Sequence, residues 1–445
     1  MSVHFSGIAG KGMAPAAGLA LTGGHQVSGD DIISNHRIVH LREAGAQVTV
    51  GRNAGPPPGS TLHIRSSLVD VLPGDVPEQS RLAYVNDVMH ASGNSVLAVA
   101  GSVGKSTAAG ILWAAHRAAA PACYVGADLP GTLCGGWHSS STTAIVEADE
   151  YKDAYQDIGA DSVILLNVLA NHADHFGSGT SGFSRSFADW IQGMGLAPRH
   201  VLLGATAAQR LSADGCSVGA IVLGTGDNSG ADWQMHIVSP TPSSTEFKLS
   251  KGRRGDKFTI PLAGEHAATA AAFGVLTARQ AGLSDSEIRD GLATAELPWR
   301  RQSLVHRSPG IWAYDDNARL PDQFIVTVLA LRQRHPHAHL VAVISPWGRL
   351  NRRDLDAWAF AGSYADTLVV LPVGEASISR GGAEIDNADE QLARAVRERG
   401  REALCIRTWA DLPEATRATV YVTAGYDAQY DLLCGAHQEL RERHP

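Results

Sequence analysis

The sequence predicts an α/β fold in three domains, built on parallel sheets whose strands alternate with helices. Short apolar runs recur along the 445-residue chain, and several end in a glycine turn or in acidic residues. The run at 95–100 leads into Gly-Ser-Val-Gly-Lys-Ser-Thr at 101–107 and then into an alanine-rich segment at 108–120. Strand, glycine turn and helix in this order are typical of nucleotide-binding α/β proteins. The length alone predicts about three domains.

Composition and charge narrow the function classes. Hydrophobic residues make up 44% of the chain and charged residues 18%, as in ordinary globular proteins. The formal net charge of −8 argues against nucleic acid as the main partner. No uncharged run is long enough to span a membrane. The five cysteines are scattered without a Cys-x-x-Cys pair, so neither a zinc site nor a disulfide framework is indicated and a cytoplasmic location is expected.

Residues 1–94 are predicted to form a Rossmann-like N-terminal domain. Strands are predicted at 3–6, 25–31, 46–50 and 61–67. Between the first two, Gly7, Gly10 and Gly12 form a turn that leads into a helix, and the second strand ends at Asp31. The glycine order, G-x-x-G-x-G, differs from the dinucleotide fingerprint G-x-G-x-x-G. A nicotinamide-dependent oxidoreductase therefore stays open only as an alternative.

Residues 95–296 are predicted to form a central domain around the glycine loop at 101–107. Such a loop aims backbone N–H groups at an anion, where the helix dipole also favours negative charge. A lysine here can reach the β- and γ-phosphates of a nucleotide and a hydroxyl can reach Mg²⁺, which points to Lys105 and Ser106. Val99 occupies the position of the first glycine of the usual P-loop, so the loop is a shortened variant. An ordinary glycine-rich βα turn is the alternative.

Acidic residues and histidines follow two further predicted strands of this domain. The strand at 143–150 ends in acids, Glu147 among them, and the strand at 161–167 precedes a stretch that holds His172. Ligands of open α/β sheets collect at the carboxyl ends of the strands, so these groups are predicted to lie beside the glycine loop. A helix is predicted to begin at His266.

Residues 297–445 are predicted to repeat the α/β pattern in a C-terminal domain. Strands are predicted at 311–314, 340–345, 367–371 and 419–423. The first of them leads to Asp315 and Asp316, and the second leads to a segment that contains Arg349.

Several of these strings, in this order, resemble the Mur ligase family of ATP-dependent amide-forming enzymes. The resemblance covers nearly the whole chain and rests on His-Phe-Ser-Gly-Ile-Ala-Gly-Lys-Gly-Met at 4–13, Gln-Val-Ser-Gly-Asp-Asp at 26–31, Gly-Ser-Val-Gly-Lys-Ser at 101–106, Glu-Ala-Asp-Glu at 147–150, the segment 167–175 and Pro-Trp-Gly-Arg-Leu-Asn-Arg-Arg-Asp-Leu at 346–355. It implies the three-domain Mur-ligase-like architecture, with a P-loop ATPase-like central domain and an N-terminal domain that binds a UDP-type substrate.

The resemblance also implies the chemistry. ATP phosphorylates a substrate carboxylate, and an amine then displaces phosphate from the acyl phosphate to form an amide. The implied cofactors are ATP and Mg²⁺ or Mn²⁺, since an oxygen-rich shell suits either cation and a histidine ligand favours tolerance of Mn²⁺. The implied partners are a small carboxylic acid and an amine, bound by a monomer or a homodimer.

Site residues follow from the resemblance position by position. The implied catalytic residues are Lys105, His172 and Arg349, and the implied metal ligands are Ser106, Glu147 and His172. Nucleotide contacts are implied for Gly101, Ser102, Gly104, Lys105, Ser106, Thr107, His266, Arg301, Asp315 and Asp316. Substrate contacts are implied for Gly7, Gly12, Met13, Asp31, Ser66, Ser67, Arg319 and Arg349.

Structural alternatives stay open for several of these residues. They are a strand end in solvent for Glu147, a polar loop residue for His172, a helix cap for Asp315 and Asp316, and a solvated side chain or surface ion pair for Arg301 and Arg349. Lys105 is expected to lie on a surface loop and to hold no part of the core.

The chain departs from the family's pattern mainly on the substrate side. Leu169 and Asn171 stand where the resemblance implies acids, Ala267 and Ala270 replace two asparagines, and Arg319 replaces a histidine. The loss of acidic residues and the gain of Arg319 make the predicted site more positive. We therefore hypothesise an ATP-dependent ligase repurposed for another acid or amine, as in specialised metabolism. The alternatives are a cell-wall ligase proper and a non-catalytic nucleotide-binding homologue.

Overall fold

The computed structural model describes residues 1–51, 54–66, 69, 75–169, 176, 179–226, 230–345, 352–372, 387–415, 417–425 and 430–444. Its strands are β1 (Ser2–Ser6), β2 (Gln26–Asp31), β3 (Gln47–Val50), β4 (Leu62–Arg65), β5 (Glu78–Ser80), β6 (Ser95–Ala100), β7 (Ala122–Tyr124), β8 (Gly136–Trp137), β9 (Thr143–Glu147), β10 (Ser162–Leu165), β11 (Val201–Gly204), β12 (Ile221–Thr225), β13 (Trp233–Pro240), β14 (Thr245–Lys251), β15 (Arg254–Ile260), β16 (Ser303–Ser308), β17 (Ile311–Asp316), β18 (His339–Ile344), β19 (Thr367–Val370), β20 (Glu402–Cys405) and β21 (Thr419–Ala424).

The described α-helices are α1 (Met13–Thr22), α2 (His36–Glu43), α3 (Arg81–Ala91), α4 (Lys105–Ala115), α5 (Ser181–Gly193), α6 (Ala205–Ala213), α7 (Glu265–Gln280), α8 (Asp285–Leu292), α9 (Pro321–Arg334), α10 (Arg352–Gly362), α11 (Ala388–Glu398) and α12 (Tyr430–Arg443). Over the described part of the chain, no helix combines the length and the apolar character needed to cross a bilayer.

The chain divides into two compact units. The first unit comprises Met1–Ser239, Glu246–Leu262 and Ala267–Pro298, and the second comprises Pro240–Thr245, Ala263–His266 and Trp299–Pro445. The sheet built from strands before residue 81 lies in the first unit, as does the sheet that begins at β6, apart from the end residues Pro240 of β13 and Thr245 of β14. The third sheet, which begins at β16, lies in the second unit.

The N-terminal sheet has the strand order β3-β2-β1-β4-β5, and all four pairings are parallel. Val3 and Phe5 point to one face, where they are fully buried in the core, and Phe5 meets Tyr84 of α3 edge to face. Gly29 lies opposite Phe5, and a Cβ there would come within 2.5 Å of the Ile8 side chain. This strand order matches the first five strands of the 3-2-1-4-5-6 order of a Rossmann fold, in agreement with the Rossmann-like domain predicted from the sequence.

The central sheet has the strand order β15-β14-β13-β12-β11-β10-β6-β9-β7-β8. Strand β6 is parallel to both neighbours, β10 and β9, and its side chains are buried on both faces. A parallel strand covered on both faces requires a continuous apolar run, which is why β6 was detectable from sequence. Since the three strands run the same way, the residues that follow β6, β9 and β10 meet at one edge of the sheet.

The C-terminal sheet has the strand order β16-β17-β21-β18-β19-β20. Its edge strand β16 is antiparallel to β17, and the remaining pairings are parallel. Alternate residues of β18 enter two separate cores, with Leu340 on one face and Val341 on the other. Asp315 and Asp316 are the last residues of β17.

Most strands predicted from sequence are confirmed within a residue or two, and α7 begins at Glu265, beside the predicted His266. One expected helix is shifted. The alanine-rich segment at 108–120 predicts a helix after the glycine loop, whereas α4 begins at Lys105 and ends at Ala115. The helix therefore starts inside the loop string, so its first turn carries Lys105, Ser106 and Thr107.

Candidate active site

The glycine loop between β6 and α4 depends on two glycines in left-handed backbone conformations. Gly101 has φ +137° and Gly104, the N-cap of α4, has φ +85°, a region that residues with a Cβ rarely adopt. No side chain caps the N-terminus of α4, so its first N–H groups stay available to an external acceptor. A helix N-terminus with free N–H groups is a favourable position for a phosphate group.

Residues after β10 hold this loop in place. Asn167 Oδ1 accepts from the Val103 N–H at 3.0 Å, and Asn167 Nδ2 donates to the Val103 carbonyl at 3.0 Å. The Ser102 hydroxyl donates to the Leu169 carbonyl at 3.1 Å and accepts from the Leu169 N–H at 2.9 Å. Four hydrogen bonds therefore preorganise the loop. Sequence reasoning missed this role of Asn167, although an amide placed directly after a buried strand was the available signal.

Lys105 is buried rather than exposed, which corrects the expectation of a surface lysine. Its side chain is 9% exposed and its Nζ donates to the Gly101 carbonyl at 2.8 Å. Nζ also forms an ion pair with Glu150, whose side chain is 1% exposed. Glu150 belongs to the acidic string after β9, and its partnership with Lys105 could not be read from the chain.

Glu147, the last residue of β9, faces the loop from the neighbouring strand. One carboxylate oxygen accepts from the Ser106 hydroxyl at 3.1 Å and the other accepts from the Gly126 N–H at 2.7 Å. Glu147 and Ser106 are both buried. The alternative in which Glu147 ends its strand in solvent is therefore wrong.

Ser106 and Glu147 fit a small, hard divalent cation. A hydroxyl and a carboxylate are the oxygen donors that Mg²⁺ takes from proteins, and Mg²⁺ completes its shell with water and substrate phosphate. Within the described residues, no group of three or more His, Cys, Asp or Glu side chains is placed to enclose a metal ion. The described donors therefore suit an ion shared with phosphate better than a closed protein cage.

The N-terminal turn that contains Gly7 (φ +81°) is shaped by Asp31. One Asp31 carboxylate oxygen accepts from the Ala9 N–H at 2.9 Å and the other accepts from the Ile33 N–H at 3.1 Å. Both oxygens thus support the backbone of the two loops that follow β1 and β2. Ser66 follows β4 at the same edge, with its Cβ 3.0 Å from the position that a Cβ on Gly7 would occupy.

Met13 and Gly12, two other residues of this turn that were predicted to contact substrate, have structural roles. The Met13 side chain is only 3% exposed and belongs to the N-terminal core, so its side chain serves packing. Gly12 is the N-cap of α1, and a Cβ there would overlap the Arg81 guanidinium. Three predicted site residues, His172, Arg349 and Ser67, lie outside the described residues.

In the second unit, Asp315 is held by a buried ion pair. Arg300 Nε donates to Asp315 Oδ2 at 2.6 Å, and the two side chains are 2% and 1% exposed. The Thr423 hydroxyl donates to Asp315 Oδ1 at 2.9 Å. The alternative of a helix cap is wrong for Asp315, since α9 has Leu320 as its N-cap.

Asp316 and His266 lie on either side of Gln302. Asp316 accepts from the Gln302 N–H at 2.8 Å, and the Gln302 amide nitrogen lies 3.4 Å from His266 Nε2. Burial raises the pKa of Asp316 to about 6, against the opposing effect of the Arg301 charge. Burial also lowers the pKa of His266 to about 4, so this imidazole is neutral at physiological pH.

Arg301 and Arg319 are both half-buried in the second unit. Arg301 donates to the Arg300 carbonyl at 3.1 Å. The Arg319 N–H donates to the Gln323 side chain at 2.9 Å, in the first turn of α9. The structure thus brings Asp316, His266 and Arg301 around Gln302, a residue that sequence reasoning did not single out.

Replacing Asp316 by asparagine is expected to change how stability depends on pH. With a folded-state pKa of about 6 against 3.8 in the unfolded chain, the folded protein retains a proton that the unfolded chain releases. Stability from this group is therefore complete below about pH 4 and is lost as the pH rises to about 6. Asp316→Asn should match the wild type below that window and exceed it above, as measured by urea unfolding at a series of pH values. An offset that stays constant across the whole series would contradict the burial of this charge.

Comparison with known proteins places these features in a family context. The model described as "Mur ligase family, catalytic domain" matches residues 2–70. A UDP-N-acetylmuramate–L-alanine ligase from Mycolicibacterium gilvum (strain PYR-GCK) is 30% identical over 396 residues, covering 83% of this chain and 82% of the relative. A protein of the same name from Mycolicibacterium vanbaalenii is 31% identical over 358 residues, covering 74% and 73%.

Solved structures show the same fold. The UDP-N-acetylmuramate–alanine ligase of Thermotoga maritima superposes with a TM-score of 0.80 at 19% identity, over 100% of this chain and 99% of that one. A murein peptide ligase from Psychrobacter arcticus superposes with a TM-score of 0.65 at 18% identity, over 98% of both chains. At these identities the structural likeness establishes the fold alone.

Proposed function

This chain belongs to the Mur ligase family of ATP-dependent amide-bond-forming ligases, and we propose that it activates a substrate carboxylate as an acyl phosphate. The observation that carries this proposal is the preformed loop in which Lys105, Ser106 and Glu147 converge at the N-terminus of α4. We further propose three domains, at 1–94, 95–296 and 297–445, with the acid substrate on the first.

The residues of the loop have separate tasks in this proposal. The N–H groups at the start of α4 hold the phosphates, and Lys105 leaves Gly101 and Glu150 to neutralise the transferring phosphoryl group. Ser106 and Glu147 would hold Mg²⁺, which when bound supplies charge neutralisation on the phosphate oxygens. His172 is proposed as a further metal ligand and Arg349 as a contact to the acid.

The reaction then needs mainly positioning. A carboxylate oxygen of the acid attacks the γ-phosphorus of ATP, so that ADP leaves and an acyl phosphate forms. The amine nitrogen next attacks the acyl carbon, loses a proton and expels inorganic phosphate. Because the loop is tied by Asn167 and Ser102, its donors are oriented before the substrates arrive, which lowers the reorganisation needed in the transition state.

We propose that the acid or the amine differs from the substrates named for the relatives. Leu169, whose backbone bonds to Ser102 of the loop, places a half-buried apolar side chain where the resemblance implies an acid. Arg319 adds a positive charge three residues after Asp316. Both changes alter the charge available to bind substrate and leave the loop donors intact. An acid–amine pair of specialised metabolism fits this pattern.

The second candidate is UDP-N-acetylmuramate–L-alanine ligation itself. It is favoured by the relatives of that name, which match over about three quarters or more of this chain. The preformed N-terminal turn, with its backbone held by Asp31, is compatible with a nucleotide-linked acid.

ADP release from ATP and Mg²⁺ separates these candidates. The purified chain would be assayed with UDP-N-acetylmuramate and L-alanine, and then with a matrix of other acids and amines. Turnover that needs both an acid and an amine supports the ligase proposal, and the identity of the active pair decides between the two candidates. Absence of MgATP binding by calorimetry would contradict both.

Replacement of Glu147 by glutamine is expected to weaken the response to metal. The amide oxygen can still accept from Gly126, so the local fold is retained, whereas the negative charge beside Ser106 is lost. The Mg²⁺ concentration for half-maximal ADP release should rise at least about tenfold. Glu246→Gln, which removes a carboxylate from a surface ion pair with Lys257, is the matched control. An unchanged Mg²⁺ titration in Glu147→Gln would exclude Glu147 as a ligand.

A further inference from the structure

We propose that Arg81 is a positioning residue that locks the N-terminal glycine turn to the phosphate loop. The inference rests on the proposed function, in which the acid lies at the glycine turn and ATP lies at the loop. Arg81 is the first residue of α3 and lies outside every motif that the sequence analysis identified. All residues of the connection belong to the first unit.

On one side, Arg81 is packed against the glycine turn. A Cβ on Gly12 would lie 1.5 Å from Arg81 Nη1 and 2.4 Å from Cζ, so only glycine leaves room for the guanidinium. Arg81 Nη1 donates to the Tyr124 hydroxyl at 2.6 Å, and that hydroxyl donates to the Gly12 carbonyl at 3.0 Å. Gly12 is thus held by packing and by a hydrogen bond relayed through Tyr124.

On the other side, Arg81 reaches the acidic string after β9. Arg81 Nη2 donates to Asp149 Oδ2 at 2.8 Å. Two residues that flank Asp149 contact the phosphate loop. Glu147 accepts a hydrogen bond from Ser106, and Glu150 forms an ion pair with Lys105. One short segment therefore contacts the loop twice and reaches the glycine turn through Arg81.

This arrangement sets the span between the acid and the γ-phosphate. In-line phosphoryl transfer tolerates little error, and a displacement of about 1 Å can cost about 10²-fold in rate. Arg81 uses its two terminal nitrogens for different partners, Nη1 for Tyr124 and Nη2 for Asp149, and the rigid planar guanidinium makes it a stiffer link than a lysine. Its role is to hold two binding loops at a fixed separation, and neither loop needs Arg81 for its own hydrogen bonds.

The test compares Arg81→Met, Asp149→Asn and the double variant in the ADP-release assay. For Arg81→Met we expect kcat to fall about 10²-fold while the KM for ATP stays within about twofold, because the ATP loop keeps its own contacts. The double variant should be no slower than Arg81→Met, because the pair acts as one link. Arg81→Lys should recover part of the rate. Additive losses, or a loss confined to the KM for ATP, would overturn the proposal.

A measurement without turnover tests the structural link made by Arg81 separately from the proposed function. In Arg81→Met, amide hydrogen exchange should accelerate at least about tenfold in both segments, 7–13 and 147–150, because each loses the same anchor. Arg279→Met is the matched control, since it removes a half-buried arginine that pairs with Asp285 elsewhere in the same unit. Acceleration in one segment alone, or equal acceleration in the control, would overturn the link. If the wild type binds no MgATP, the proposed function fails, and the exchange result still decides whether Arg81 links the two segments.

Discussion

Lys105→Met is expected to lower ADP release by about 10³-fold or more, which is the largest effect on activity that the structure predicts. In the proposed reaction this ammonium neutralises the phosphoryl group as it moves, and no other described cation lies within the loop string at 101–107. Methionine keeps the apolar stem of the side chain and removes the charge. The measurement is steady-state ADP release with saturating ATP, acid and amine. Residual turnover above about a tenth of the wild-type rate would contradict the assignment of the loop.

The same substitution is also expected to destabilise the protein, because Lys105 is the buried partner of Glu150. Breaking a buried ion pair by removing one partner costs about 3–5 kcal/mol, since the remaining charge is left in a poor solvent. Lys105→Met combined with Glu150→Gln should therefore regain most of the lost Tm and none of the lost activity. This separation distinguishes the loss of a catalytic charge from the loss of the folded loop. Equal Tm values for the wild type, Lys105→Met and the double variant would show that the Lys105–Glu150 ion pair contributes nothing to stability.

The strands that sequence reasoning found are those with a local signature. Strand β6 is a continuous apolar run because the sheet covers it on both faces, and β17 ends at a visible acidic pair. Strands β7 and β8 were missed because they contain three and two residues, too few to show any periodicity. Their position at the sheet end is set by contacts with distant residues, which a single chain does not display.

Site residues with a local sequence signature were predictable, and those defined by contacts between distant residues were not. The glycines of the phosphate loop and the residues at the start of α4 were predictable, because a left-handed turn before a helix has a compositional signature. The contacts of Glu150 with Lys105 and of Asn167 with Val103 were not, because they join residues 45 or more positions apart. Asp31 is a related case. An acid at the end of the second strand predicts a ligand contact. In the structure, both carboxylate oxygens accept hydrogen bonds from backbone N–H groups, those of Ala9 and Ile33.

The neighbouring Arg300 and Arg301 show why orientation is the least predictable property. The chain offers two adjacent arginines with nothing to distinguish them. The backbone at Arg300 is left-handed, with φ +59°, and its side chain is buried against Asp315. Arg301 stays half-buried. The arginine that supports the fold is the one with a positive φ, a conformation that is uncommon for residues other than glycine and that nothing in the sequence indicated at Arg300.

Arg300→Met is accordingly expected to have the largest effect on stability in the second unit, with a loss of about 3–5 kcal/mol. The substitution leaves the Asp315 carboxylate buried, with the Thr423 hydroxyl bond intact and its cation gone. Urea unfolding followed by a probe in the second unit is the measurement, because the two units need not unfold in one transition. Arg300→Met combined with Asp315→Asn should recover most of the loss, since the amide keeps the bond from Thr423 and carries no charge.

The single variant Asp315→Asn distinguishes this structural role from the nucleotide contact that the family resemblance implies. If Asp315 acts only as the partner of Arg300, Asp315→Asn leaves the Arg300 guanidinium buried without its carboxylate. We then expect the Tm to fall, while the KM for ATP of the folded protein changes little. If Asp315 instead contacts the nucleotide, the KM for ATP rises and the Tm is retained. Asp316→Asn supplies the comparison within the same strand end, because Asp316 accepts from the Gln302 backbone N–H and burial raises its pKa to about 6. A lower Tm for Asp315→Asn together with a higher Tm for Asp316→Asn at neutral pH would assign the two adjacent carboxylates to opposite roles, one paired for stability and one buried at a cost to stability.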